Sequence, residues 1–195
     1  MLRLFVGIEF SPELKLRLSL LETALTGARW IDPGNLHLTL RFIGEVTEDR
    51  AADVDEAMAE LTARRFPLQL AGTGVFGGNK PHTLWVGAER GPDLVALHDK
   101  IERALIRIGL APEPRRFAPH VTLARLRHPD PEKLAEWLSY NALATSAEFP
   151  VEAFHLYSSR SSSNKGASDG SIYAIEEDYP LGGHEDEEYE PETDD

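Results

Sequence analysis

His37-Leu38-Thr39-Leu40 recurs in the second half of the chain as His120-Val121-Thr122-Leu123, and the repeat decides how the rest is read. Each tetrapeptide lies in a stretch with the alternation of a strand. Side chains two apart on a strand leave the same face, so each motif offers one imidazole and one hydroxyl together. The interleaved Leu38, Leu40, Val121 and Leu123 point the other way, into a core. A chain with this composition would hold such a tetrapeptide by chance roughly 0.05 times. One His-x-Thr in a strand is ordinarily a packed core pair. Two, with like flanks and in matching places of the two halves, predict a groove with two imidazoles and two hydroxyls at its centre.

Outward from the motifs, helices and strands alternate. Strand 2–10 has period two, and Ser11-Pro12-Glu13 reads as a helix start, followed by Leu14, Leu18, Leu21 and Leu25 at helical spacing. Asp32-Pro33-Gly34 turns the chain into strand 36–43, and 47–64 is helical, with Val54, Met58 and Leu61 on one face. Strands 66–75 and 83–88 are joined by the turn Gly77-Gly78-Asn79-Lys80-Pro81. In the second half, Leu94 to Ile108 form a helix ending at Gly109; strand 117–126, helix 131–143 and strands 148–157 and 171–178 follow. Short turns between strands imply antiparallel neighbours, which predicts an α+β fold rather than a doubly wound parallel sheet. Residues 158–170, rich in Ser, Gly and Asn, read as a flexible loop. Residues 182–195 read as a disordered acidic tail after a two-lobed domain, 1–181.

A length of 195 residues suits one domain or two small packed lobes, and 42% hydrophobic residues suffice for a core. The absence of cysteine excludes disulfides, thiolate metal sites and cysteine nucleophiles. No apolar run approaches the roughly 18 residues of a membrane span, and the start shows no secretory signal. A cytoplasmic monomer is expected. The net charge of −13 is concentrated at the end: 11 acidic residues follow Ile175, leaving 22 acidic against 20 basic before them. A nearly neutral body cannot grip long duplexes, but it can hold one terminal phosphate.

The motif chemistry suits transfer at a phosphodiester. One imidazole acts as general base on the attacking hydroxyl or water, and the other protonates the departing ribose oxygen. Threonine hydroxyls can donate to the non-bridging oxygens as charge develops. His-Glu-x-x-His, cysteine pairs and an aspartate-rich calcium loop are all absent, so neither a metal nor another cofactor is expected.

At these residues the chain resembles the two-histidine phosphoesterase superfamily, most closely the RNA 2′,3′-cyclic phosphodiesterases known as LigT-type 2′-5′ RNA ligases. The resemblance covers about residues 2–181. It rests on Arg3-Leu4-Phe5-Val6-Gly7-Ile8, on His37 through Val46, on Leu84-Trp85-Val86-Gly87, and above all on Phe117-Ala118-Pro119-His120-Val121-Thr122-Leu123-Ala124-Arg125. It implies two pseudo-symmetric α+β lobes, with antiparallel sheets lining a central groove and helices outside. It also implies hydrolysis of RNA 2′,3′-cyclic phosphate ends to 2′-phosphates, and in some members reversible 2′-5′ joining. By the same resemblance His37 is the proton donor, His120 the proton acceptor, Thr39 and Thr122 phosphate clamps, and Arg125 a phosphate contact. Strand parity alone puts Arg125 opposite His120, so that contact requires a strand end or a bulge. Two features depart from the family pattern: the serine-rich stretch Ser159 to Gly166 and the acidic tail.

Arg41 shares parity with His37 and is a candidate for the groove, with a solvated surface arginine as the competing reading. Phe42 and Tyr173 are candidates to stack on a base, against core roles. His82 reads as a surface histidine after Pro81, His98 lies on a helix, His128 and His155 lack a partner motif, and His184 belongs to the solvated tail. The partner expected is RNA with a cyclic phosphate end, or a cyclic nucleotide, and not a membrane. Three other readings stay open: a 2′-5′ RNA ligase on the same residues, a non-catalytic module holding a nucleotide or RNA end, and a phosphodiesterase for small cyclic nucleotides.

Overall fold

The computed structural model describes residues 1–161 and 171–182. β1 (Leu2–Glu9) is buried without a break from Leu4 to Ile8, so the expected alternation of apolar residues does not appear as an alternation of burial. Ser11 caps α1 (Pro12–Ser19), its hydroxyl accepting from the Leu14 N–H at 3.2 Å. This helix is shorter than its leucine spacing predicts, and Leu25 enters the core from a loop. β2 (Ala28–Trp30), β3 (His37–Val46), α2 (Glu48–Ala59), β4 (Phe66–Leu68), β5 (Leu70–Phe76) and β6 (Thr83–Ala88) follow. α3 (Pro92–Arg107), β7 (His120–Leu126), α4 (Pro131–Tyr140), β8 (Phe149–Val151), β9 (Ala153–Ser161) and β10 (Ser171–Pro180) complete the order. α3 stops at Gly109, whose φ of +87° lets the Leu110 N–H reach back to the Leu105 carbonyl at 3.0 Å.

The described residues form an eight-stranded sheet ordered β10-β9-β1-β3-β7-β6-β5, with β2 also on β7, and every pairing is antiparallel. The architecture is thus α+β, as the sequence implies. The lobes, however, do not follow the halves of the chain. The β3 side takes β9 and β10 from the C-terminal half, and the β7 side takes β5 and β6 from the N-terminal half. The two sides meet where β3 lies beside β7, at the single pair Leu38↔Val121, both fully buried. α3 packs its buried face, including Leu97, Ile101 and Leu105, against β3 and α2.

Further expectations change in detail. Strands 66–75 and 148–157 each break once, at Gln69 and Glu152, and the short pieces pair as a separate ribbon, β4 with β8. β2 has no counterpart among the strands expected from the sequence. β9 runs through Ser161, into the stretch expected to be a flexible loop; positions 162–170 and the acidic tail beyond Gly182 lie outside the described residues. Among the described residues no helix is long and apolar enough to cross a membrane.

Candidate active site

β3 and β7 carry the motifs with the same local geometry. On β3, Val6 pairs with Arg41 but Gly7 with Thr39, so Leu40 is an extra residue; on β7, Leu84 pairs with Ala124 but Trp85 with Thr122, so Leu123 is extra. Such a bulge sends two successive side chains to one face and reverses parity beyond them. In each strand the leucine and the residue after it are buried, and the next side chain is exposed: Leu40, Arg41, then Phe42; Leu123, Ala124, then Arg125. The bulge on β7 is the irregularity Arg125 requires, and it turns that side chain into the cavity holding His120.

On β3 the same device corrects the expectation for Arg41. Its side chain is buried outside the cavity between the two histidines and lines the adjoining one instead; the guanidinium is paired with Glu102, lies 3.7 Å from Glu113, and donates to the Phe42 and Ala111 carbonyls. It clamps the 111–113 linker to α3 and β3. Phe42 takes the groove position instead, and it is 46% exposed.

His37 is held from both ring nitrogens. Nδ1 lies 2.7 Å from the Asn35 carbonyl and Nε2 3.0 Å from the Thr39 hydroxyl. A carbonyl only accepts, so Nδ1 carries the proton in the neutral ring and the Thr39 O–H donates to Nε2. Phe5 lies against the ring at 4.7 Å, with the Tyr157 ring centroid 5.6 Å away and Tyr173 edge-on at 5.2 Å. Gly7 permits this packing: a Cβ there would come 2.9 Å from the Leu38 carbonyl and 3.6 Å from the imidazole. Burial pushes the His37 pKa down to about 4; the Asn35 carbonyl and Glu9 oppose the shift and Lys15 adds to it. Glu9 accepts from Lys15 at 2.5 Å and from the Tyr157 hydroxyl at 2.8 Å. That tyrosine is pushed above its ordinary range by burial and then by Glu9.

His120 repeats the backbone contact, with Nδ1 2.7 Å from the Ala118 carbonyl. Phe76 meets it edge-on at 4.8 Å and Trp85 at 6.5 Å. Its pKa is also lowered, first by burial and then by the cationic Arg125 and Arg115, against the Ala118 carbonyl. Among the described residues no bond between His120 and Thr122 matches the one from Thr39 to His37.

A cavity of about 190 Å³ is lined by His37, Thr39, Phe42, His120, Thr122, Arg125 and Tyr173. The structure thus gathers every singled-out residue except Arg41. It adds Phe76, His82, Thr83 and Arg115, which sequence reasoning missed. His82 is exposed, as the sequence places it, and because Thr83 pairs with Arg125 across β6 and β7 it also lines the edge of the groove. Only the pairing of those strands reveals this. Among the described residues no three His, Cys, Asp or Glu side chains converge. The groove offers the Nε2 atoms of His37 and His120, the first accepting from Thr39, with hydroxyl donors and the guanidiniums of Arg125 and Arg115, a set able to move protons around a bound anion.

The chain is similar to known proteins along most of its length. The sequence profile of the 2′-5′ RNA ligase superfamily matches residues 16–162. An RNA 2′,3′-cyclic phosphodiesterase of Aquifex aeolicus is 32% identical over 160 residues, 80% of this chain and 82% of that protein. One of Aeropyrum pernix is 42% identical over 99 residues, 50% of this chain and 56% of its own length. The crystal structure of a Thermus thermophilus protein superposes with a TM-score of 0.75 at 26% identity, over 93% of this chain and 99% of that one.

Proposed function

The chain belongs to the 2′-5′ RNA ligase superfamily, and from that premise we propose that it hydrolyses RNA 2′,3′-cyclic phosphate ends to 2′-phosphates by acid–base catalysis, without a metal ion, as a cytoplasmic monomer. One observation carries the reading: two imidazoles, two threonines and one arginine face a single cavity from two strands with matching bulges.

The phosphate sits between the histidines, with Thr122 and Arg125 donating to its non-bridging oxygens and Thr39 joining them once His37 Nε2 is protonated and releases the Thr39 O–H. His120 takes a proton from the attacking water as its oxygen bonds to phosphorus. His37 gives a proton to O3′ as the P–O3′ bond breaks, leaving the phosphate on O2′. Both Nδ1 positions are committed to backbone carbonyls, so both transfers run through Nε2. With its pKa near 4, His37 is neutral in the free protein at neutral pH. The bound phosphate supplies the negative charge that raises it enough to serve as donor. Phe42 and Tyr173 flank the clamp, where each can stack on the terminal base.

The family's description favours a second use of the same site: a 5′-hydroxyl of RNA in place of water gives a 2′-5′ bond. The decisive assay uses a short RNA with a 2′,3′-cyclic phosphate end and excess chelator, for wild type, His37→Ala and His120→Ala. The expected result is turnover to a 2′-phosphate, with at least about a hundredfold loss in either variant. Binding of that RNA without turnover would overturn the catalytic reading in favour of an end-binding module, and a 2′-5′ joined product would make water the lesser nucleophile.

A further inference from the structure

The cavity between the histidines continues into a second one of about 430 Å³, and His82 and Arg115 line both. His82 precedes β6 one step beyond the rung that pairs Thr83 with Arg125. Thr83 is 3% exposed; its hydroxyl accepts from Arg125 Nη1 at 3.2 Å and lies 2.9 Å from His82 Nδ1. Its single proton therefore finds an acceptor only if His82 Nδ1 is bare, which puts the ring proton on Nε2. The Thr83 bond thus fixes His82 as an N–H donor. Arg115 is oriented by Glu113, which binds Nε at 2.8 Å and Nη2 at 3.3 Å and leaves Nη1 outside the pair.

His82 Nε2 and Arg115 Nη1 offer donors at the edge of the clamp and at the mouth of a second chamber, whose lining also includes the Glu113 carboxylate that holds Arg115. Resting on the function proposed above, we infer that His82 and Arg115 form a second anion subsite, which takes the phosphodiester on the 5′ side of the terminal nucleotide. The neighbouring nucleotide then enters the larger cavity, where Phe42, Phe76 and Phe117 supply apolar surface. The subsite makes an RNA end a better substrate than a bare cyclic mononucleotide.

The test compares kcat/KM for a nucleoside 2′,3′-cyclic phosphate with and without a 5′-phosphate, for wild type, His82→Ala, His82→Gln and Arg115→Ala. The wild type should favour the 5′-phosphorylated substrate by about tenfold or more, the effect of a charge-assisted contact. Each alanine variant should reduce that preference several-fold, and His82→Gln, which keeps an N–H donor, should restore part of it. A wild-type ratio near one, or a ratio unchanged in both alanine variants, overturns the inference. Calorimetric binding of a nucleoside 2′,5′-bisphosphate against the 2′-monophosphate reads the same preference without catalysis. Absence of turnover with the binding preference intact would therefore count against the proposed reaction alone, and equal binding of the two would count against the subsite.

Discussion

β3 and β7 are two copies of one device with different cargo. Both place histidine and threonine on one face, insert an extra leucine, and return the next-but-one side chain to the groove. Behind His37 the device is tight and aromatic, with Phe5, Tyr157 and Tyr173 around the ring. Beside His120 it is more open and cationic, with Arg125 and Arg115 near enough to lower its pKa. The position after the bulge carries Phe42 on one strand and Arg125 on the other. The inward position beside it carries a buried ion-paired arginine on β3 and Ala124 on β7. Backbone symmetry sets where groups can go, and sequence asymmetry makes one wall of the groove a stacking surface and the other an anion holder.

The sharpest way to break this comparison is at Arg41, the inward residue with no charged counterpart on β7. Arg41→Ala leaves Glu102 without its cation and Glu113 with Arg115 alone, and should cost roughly 3–5 kcal/mol of stability, read as a fall in denaturation midpoint. The protein that remains folded should keep its turnover; a stable variant with lost turnover would return Arg41 to the groove. Next come the paired outward positions. Arg125→Ala should lower kcat/KM about a hundredfold, as removal of a transition-state donor does. Phe42→Ala should cost less than about tenfold, chiefly in KM, as loss of one stacking face does. Equal losses would mean that the two walls are not specialised. The smallest effect is in pH. The acceptor must be deprotonated and fails as pH falls through its pKa; the donor must be protonated and fails as pH rises through its own. Both histidines lie below the ordinary 6.5, so kcat/KM, which reports the free protein, should peak on the acid side of that value. The kcat profile, with phosphate bound, should peak at higher pH. A kcat/KM optimum above neutrality would contradict the buried, uncharged state of His37.

The amino-acid sequence made the central constellation legible because strand parity is a local rule: His37 with Thr39 and His120 with Thr122 follow from a spacing of two. Parity failed at Arg41 for the reason that it needed an exception at Arg125. Nothing in an isolated strand marks an inserted residue; the bulge exists only against Gly7 on β1 or Trp85 on β6. The exchange of β5, β6, β9 and β10 between the two sides of the sheet is likewise a long-range fact, and with it went His82 and the groove-facing role of Phe76. β2, three residues long, is held by β7 rather than by its own propensity.

The lone rung Leu38↔Val121 has a further meaning. Two arms joined at one rivet make a caliper, and here the tips are the imidazoles. The pair itself is held by the backbone, while both its side chains are fully buried beneath the groove. Repacking the interior under Leu38 and Val121 therefore acts on the angle between the arms, with every group that touches phosphate left as it is.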